Sequence, residues 1–379
     1  MTECTIGDIC TWSKGFQVPR DDTSVDKEVP YLHYGDLYKK YDFRLDLQDK
    51  LDKIIKIDNS SKIKDVHYLH DGDIVFALTS ETVDDLGHCT LIINPGDLPF
   101  VSGMETTVIH IKRRDCVLPS YLNYYFHDSV FQNRLRQYVT GMKVYRVHPD
   151  DIMSMVIDLP TIEVQRRIVR ILDAITDSMY CLNQINDNLR AIAFSKYNHL
   201  KRSCIDYVSL SEIAEVCYGK DHKSLIGGNI PVYGSGGIMR YVERPLYDGK
   251  ESVLIPRKGT LNNVMFVSTP FWSVDTMFYT KMKCQTAGKY LYFYLHDLDL
   301  ASMNSGSAVP SMTTEILNDI QVPFPEKDAL DNFDKELQPL FDMIKMNEGQ
   351  INHLSLIRDV LLPKLMSGEI DVSTLEIPN

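Results

Sequence analysis

The chain has 379 residues, 44% of them hydrophobic, and a formal net charge of −12. That length exceeds one ordinary domain and predicts at least two cores, while the acidity excludes a uniformly basic nucleic-acid coat. No apolar run approaches the roughly 18 residues of a membrane span and the N-terminus lacks a signal pattern, so a cytoplasmic protein with no membrane partner is expected. The cysteines (Cys4, Cys10, Cys89, Cys116, Cys181, Cys204, Cys217 and Cys284) are scattered without CxxC pairs or zinc-type spacing, and read as reduced thiols.

In chain order, residues 1–160 form the first predicted domain. Short β-branched and aromatic runs bounded by Gly, Pro and Asp make it strand-rich: Val29-Pro-Tyr-Leu-His-Tyr-Gly35, Gly72-Asp-Ile-Val-Phe76, and a segment at Gly103-Met-Glu-Thr106. Tyr121-Leu-Asn-Tyr-Tyr-Phe-His-Asp128 reads as a short amphipathic helix, followed by Thr140-Gly141 and by Pro160. A long helical pattern occupies 161–204. Its seam, Gln165, Ile168, Leu172, Ile175, Met179, Leu182, Asn186, Leu189 and Ala193, alternates steps of three and four as in a coiled coil.

Residues 205–325 repeat the first domain. Ile230-Pro-Val-Tyr-Gly234 faces the Val29 segment, Ser252-Val-Leu-Ile255 faces the Gly72 strand, and Ser273-Val-Asp-Thr276 faces Gly103–Thr106. Tyr290-Leu-Tyr-Phe-Tyr-Leu-His-Asp297 is identical to the Tyr121 segment at five of eight positions. Ser305-Gly306 answers Thr140-Gly141, and in both halves a proline, Pro160 or Pro325, lies nineteen residues after that glycine. Residues 326–379 hold a second helix and a tail, with the seam Leu330, Phe333, Leu337, Leu340, Ile344, Asn347, Ile351 and Leu354.

The two helices differ in charge: residues 161–203 carry seven Lys/Arg against four Asp/Glu, and 326–362 carry four against eight. A basic and an acidic helix with apolar seams, each holding one register-fixing Asn, are expected to pair with each other. Because the domains they follow are repeats, the pairing is expected to be antiparallel about an approximate two-fold axis, with Asn186 and Asn347 near one level or shifted by one heptad. The alternative is that each helix packs on its own preceding domain. The expected fold is α+β: two repeated mixed α/β domains, separated and followed by two long helices pairing as an antiparallel coiled coil.

Several of these motifs resemble those of type I restriction-modification specificity subunits. They are Ile162-Glu-Val-Gln-Arg-Arg-Ile-Val-Arg-Ile-Leu172, Leu361-Leu-Pro-Lys-Leu-Met-Ser-Gly-Glu-Ile370, Ile230-Pro-Val-Tyr-Gly-Ser-Gly-Gly-Ile238, Ile255-Pro-Arg-Lys-Gly259 and Pro270-Phe-Trp-Ser-Val-Asp-Thr276. The resemblance covers nearly the whole chain, and the first domain departs from it between Lys39 and Tyr68. It implies that each domain reads one half of a split double-stranded DNA site and that the paired helices set the gap. It also implies docking of methyltransferase and motor-nuclease subunits, which would hold S-adenosylmethionine, ATP and magnesium; no cofactor is expected in this chain.

Catalytic motifs are poorly matched. Asn94-Pro-Gly-Asp97 lacks the aromatic of a methyltransferase tetrad and reads as a turn; Gly234-Ser-Gly-Gly237 lacks the Gly-Lys-Ser/Thr of a phosphate loop. His67 and His70 with Asp71 and Asp73 read as a solvated turn rather than a metal site, Asp150-Asp151 as the lead into a strand, and His127-Asp128 with His296-Asp297 as structural pairs at helix ends. The DNA-contact signal is clearer. From Phe131 to Pro149 there is no acid, and Arg134, Arg136, Lys143 and Arg146 interleave with Tyr138 and Tyr145 around Gly141. In the second domain the candidates are Lys220, His222 and Lys223 before the first strand, Arg257 and Lys258 beside Gly259, and Ser305 and Ser307. The expected function is non-catalytic recognition of a bipartite asymmetric DNA site. Two other readings stay open: a stand-alone DNA-modifying enzyme, which would bind S-adenosylmethionine by itself, and a coiled-coil scaffold with two non-DNA modules, which would bind no duplex.

Overall fold

The computed structural model describes residues 2–19, 22–39, 41, 43–59, 62–303 and 311–375. The chain divides into two compact units, Met1–Cys181 with Gln350–Asn379, and Leu182–Gly349.

In the first unit the main sheet is ordered β2 (Cys10–Lys14), β10 (Thr106–Ile111), β6 (Ile74–Ala77), β8 (His88–Ile93), β4 (Arg44–Asp46). All neighbours are antiparallel except β8 and β4. Strand β6 is apolar throughout because both its faces are covered: Ile74 and Phe76 enter one core cluster, Val75 and Ala77 another. The first of these clusters takes its helical side from α4 (Pro119–His127) and α5 (Ser129–Leu135). Smaller pairs join β1 (Thr2–Thr5) to β12 (Val156–Leu159), β3 (Val29–Leu32) to β5 (Lys56–Ile57) and in parallel to β9 (Val101–Ser102), and β7 (Thr79–Ser80) to β11 (Tyr145–Arg146). Three short helices, α1 (Ile6–Ile9), α2 (Tyr34–Lys39) and α3 (Leu47–Lys50), and α6 (Pro149–Ser154) complete the domain.

The second unit repeats this frame. Its main sheet is β14 (Ala214–Tyr218), β20 (Met277–Met282), β17 (Ser252–Pro256), β18 (Met265–Val267). Again Val253 and Ile255 face one core and Leu254 the other. Pairs β13 (Tyr207–Ser209) with β21 (Gln321–Pro323), and β15 (Ile230–Gly234) in parallel with β19 (Trp272–Ser273), match β1–β12 and β3–β9. Strand β16 (Gly237–Val242) forms a hairpin with β15, turned at Gly234–Gly237. Helices α8 (Leu210–Ile213), α9 (Gly288–Asp297) and α10 (Thr314–Asp319) stand for α1, α4 and α6.

Hydrogen bonds refine the alignment of the halves. Gly103 N–H donates to Leu32 O (2.9 Å), and Val274 N–H donates to Tyr233 O (3.1 Å). Gly103 therefore answers Val274, not Ser273 as side-chain likeness suggested, because the backbone turn rather than residue type sets the register. Two positions with no side chain carry the same close approach. A Cβ on Gly15 would lie 1.7 Å from Gly103 O, and one on Gly219 would lie 2.0 Å from Val274 O.

Other expectations need correction. Lys220, His222 and Lys223 follow two strands, β13 and β14, instead of preceding the first. Asp150 and Asp151 lie in the first turn of α6, capped by His148 with Pro149 at its start; the strand comes afterwards. Asp73 is buried rather than solvated, accepting from His70 N–H (2.9 Å) and lying 2.9 Å from His110 Nδ1. The turn expected at Asn94–Asp97 is present, closed by Asp97 N–H donating to Asn94 O (3.0 Å), and Asn94 is buried with its amide donating to Leu69 O and Leu98 O.

The long helices are α7 (Ile162–Ser203) and α11 (Lys327–Met366). Within the first unit, Ile168 and Leu172 share a core with Leu362 and Leu365. Within the second, Asn347 Nδ2 donates to Asn186 Oδ1 (2.8 Å), and Lys196 pairs with Glu336 (2.6 Å). Numbers rise along α7 as they fall along α11, so the pairing is antiparallel. Of the seam, Leu172, Asn186, Leu337, Ile344 and Asn347 are buried, while Ile175, Met179, Leu182, Leu189, Leu340, Ile351 and Leu354 are half-buried. Leu172 and Leu337 also belong to the cores of the two domains, so pairing and own-domain packing coexist on different turns.

Candidate nucleic-acid interface

In the first domain the acid-free segment divides into two parts. Arg134 faces inward, where its guanidinium donates to Val156 O (2.8 Å) and to Tyr125 Oη (3.2 Å). Arg136 lies 3.3 Å from Asp84, which offsets its charge. The rest forms a tight exposed hairpin. Thr140 and Arg146 exchange both backbone hydrogen bonds at 2.9 Å, and Tyr145 and Arg146 pair with Ser80 and Thr79. Gly141 has φ 104°, and a Cβ there would lie 2.1 Å from Val144 O, so only glycine fits the turn. Met142, Lys143 and Val144 are thereby held out into solvent, with Arg146 exposed and Tyr145 half-buried below them.

The hairpin rests on one junction: Val147 N–H donates to Leu78 O (3.1 Å). In the second domain Met312 N–H donates to Arg257 O (2.9 Å), and Lys258 bridges Ser311. Arg257 and Lys258 thus stand where Leu78 and Thr79 stand in the first domain. The Arg257 guanidinium lies 5.4 Å over the Tyr218 ring, and Lys258 is exposed. Lys220 joins the same surface: its N–H donates to Ser273 O (2.8 Å), while Arg257 N–H donates to Thr276 O (2.9 Å), so both segments border the turn at 273–276. Lys223 is exposed and His222 half-buried. Ser305 and Ser307 lie outside the described residues.

Sequence reasoning missed Tyr218, Ser311, Thr79 and Ser80. The repeated Gly15 and Gly219 mark the first of these: Tyr218 directly precedes a glycine forced by close backbone approach. The others follow from the repeat once the Pro160 and Pro325 frames are aligned. Each patch combines cations, an aromatic ring and hydroxyls on a rigid strand end, a set able to hold phosphates and to reach base edges. Among the described residues no group of three or more His, Cys, Asp or Glu is arranged to hold a metal ion, and no helix is long and apolar enough to cross a membrane.

The family model of the type I restriction modification DNA specificity domain matches residues 1–191 and 205–355. A putative type I restriction enzyme specificity subunit of Haemophilus influenzae is 28% identical over 134 residues, 33% of this chain and 34% of that protein. The MjaIX specificity subunit of Methanocaldococcus jannaschii is 37% identical over 70 residues, 18% of this chain and 16% of that one. The aligned parts therefore span about a third or less of these curated relatives. The crystal structure of a type I restriction-modification S subunit from M. genitalium shares the fold, with TM-score 0.54 at 17% identity over 96% of this chain and 95% of that chain.

Proposed function

The chain belongs to the type I restriction-modification DNA specificity family, and from that membership we propose that it recognises a bipartite, asymmetric double-stranded DNA site without catalysing a reaction. Methyltransferase and motor-nuclease subunits dock on it and bring S-adenosylmethionine, ATP and magnesium; the assembly acts in the cytoplasm. One observation carries the reading furthest. The same strand-to-loop junction presents Thr79, Tyr145 and Arg146 in one half and Arg257, Lys258 and Ser311 in the other. A constant frame with unlike polar tips is what two readers of different half-sites require. The net charge of −12 is compatible with duplex binding where local basic loops make the contacts and partner subunits share the phosphates.

The test is to incubate the purified chain with labelled S-adenosylmethionine and genomic DNA, alone and with methyltransferase subunits, and to map the methylated bases. Methylation of one split site by the complex, and none by the chain alone, is expected. Transfer by the chain alone, or no duplex binding even in the complex, overturns the reading.

A further inference from the structure

The second unit contains a cavity of about 750 Å³ bordered by β18, α9 and the two long helices, with Phe266, Tyr292, His296, Arg190, Asp342 and Lys345 among its walls. Strand β18 is the end of its sheet among the described residues, so one edge of its backbone is unpaired there. Glu251 also faces the cavity. Its Oε1 accepts from Lys289 (2.6 Å), while its buried Oε2 has no hydrogen-bond partner among the described residues.

The first unit shows what such a groove takes, because there the same place is full. Leu91 and Phe266 are equivalent: each lies opposite the strand position, Ile74 or Val253, that follows Asp73 or Ser252. Alongside β8 the chain lays its own residues Phe43–Asp46, with β4 parallel to β8 and Leu91 N–H donating to Phe43 O (3.1 Å). The Phe43 ring stacks on His127 at 4.0 Å, and Asn123 Nδ2 donates to Phe43 O (2.9 Å). Arg44 pairs with Asp177, and the Lys50 ammonium lies 5.3 Å over the Tyr180 ring. The repeat places the counterparts of these receivers on the cavity wall, where the histidine and the aspartate keep their chemistry and the other two positions change it. His127 and Asn123 become His296 and Tyr292 of the matching helix; Asp177 and Tyr180, 17 and 20 residues after Pro160, become Asp342 and Lys345, 17 and 20 after Pro325. Among the described residues no counterpart of Phe43–Asp46 pairs with β18, and that segment lies in the stretch where the first domain departs from the shared pattern.

We propose that the β18 edge and its cavity are the seat of an extended segment from a partner protein. The segment lies parallel to β18, with an aromatic side chain over His296 and a following basic side chain against Asp342. A second copy of this chain is a poor donor, since its own Phe43–Asp46 strand is already committed within its first unit. A single basic side chain suits Asp342, which is exposed on the cavity wall and accepts from the neutral Gln338 amide (2.8 Å), whereas Glu348 is already paired with Arg190 (2.8 Å) and Glu251 with Lys289 (2.6 Å). The inference stands on the internal repeat and is independent of what the recognition loops bind.

The probe is a labelled peptide with the sequence of residues 41–50 of this chain, titrated against the full-length protein and followed by fluorescence anisotropy and amide hydrogen exchange. Saturable binding with new protection at Met265–Val267 is expected. Replacing the peptide's phenylalanine by alanine should weaken binding at least about tenfold, and Asp342→Lys, at an exposed position, about two- to fivefold. Three results each overturn the proposal: no saturation by about 1 mM peptide, protection at Leu91 instead of Phe266, or binding indifferent to both substitutions. Self-association of the chain that protects Met265–Val267 without peptide assigns the seat to a second copy and overturns it as well.

Discussion

His127 and Lys289 show how much of the buried polar chemistry is structural. His127 lies against Phe43, its ring hydrogen-bonded to the Cys89 backbone, and Nε2 has no hydrogen-bond partner among the described residues. Burial, with the Arg358 cation second, pushes its pKa down to about 3. Below its ordinary value of about 6.5 the unfolded chain takes up a proton that the folded chain refuses. Its contribution is therefore complete above that value and is lost as pH falls toward 3, with a slope of at most about 1.4 kcal/mol per pH unit. The drop in thermal midpoint between pH 6.5 and pH 4.5 should be larger in the native chain than in His127→Gln; equal drops would mean that the ring is not held neutral. Lys289 is buried between Glu251 (2.6 Å) and Asp334 (2.7 Å). Lys289→Met leaves both carboxylates without their cation, and a loss of about 3–5 kcal/mol in the stability of the second unit is expected by denaturant titration. The His127-Asp128 pair was legible as structural. The lysine was not, because nothing in its local sequence distinguishes a buried cation from an exposed one.

The long helices were the most legible elements, since a seam of alternating threes and fours needs only local sequence to be seen. The Asn186–Asn347 bond also bears out the expectation that the two amides share a level. Asn347→Leu leaves the buried Asn186 amide without its donor and should cost about 1–3 kcal/mol, whereas changing both to Leu should be close to neutral and let the register drift. Denaturation of the three variants checks the first claim, and loss of a cross-link between Lys196 and Glu336 checks the second. Other elements were hidden for identifiable reasons. Helix α6 stands where a strand approach is expected, although Pro149 followed by two acids is a helix-start signal. Strand β4 escaped notice because its parallel pairing with β8 is made across more than forty residues of sequence, where no local pattern reports it. The 140–146 hairpin was located by Gly141 and its basic residues, but its pairing with β7 was not. Gly141→Ala should disorder this hairpin and lower duplex affinity of the assembled complex while leaving the overall melting transition within about 0.5 kcal/mol, because the turn is exposed.

At the scale of the whole molecule, the repeat was legible because framework segments keep residue type where they are buried, as in the Tyr121 and Tyr290 helices, while the exposed loops were free to diverge. That divergence is the basis of the last prediction, which rests on the proposed DNA-reading role. Arg134 does not belong to the reading surface, since its guanidinium is used inside the fold, and Arg136 is partly neutralised by Asp84. Lys143, Tyr145 and Arg146 remain in the first half, and Arg257 and Lys258 in the second. Since Leu78 stands where Arg257 does, and Thr79 where Lys258 does, the second half presents cations from the strand end, whereas the first presents them from the hairpin. Unlike chemistry on matched backbones should read unlike bases. Arg146→Ala should therefore cost about 1–3 kcal/mol and relax one base position of one half-site if the guanidinium reads a base edge, and weaken all sequences alike if it holds a phosphate. Lys258→Ala should act only on the other half-site. Methylation by the reconstituted complex on duplexes changed one base pair at a time separates these outcomes. Two substitutions that affect the same half-site would show that the halves do not read independently, and an Arg146→Ala complex with unchanged affinity and preference would remove the hairpin from the reading surface.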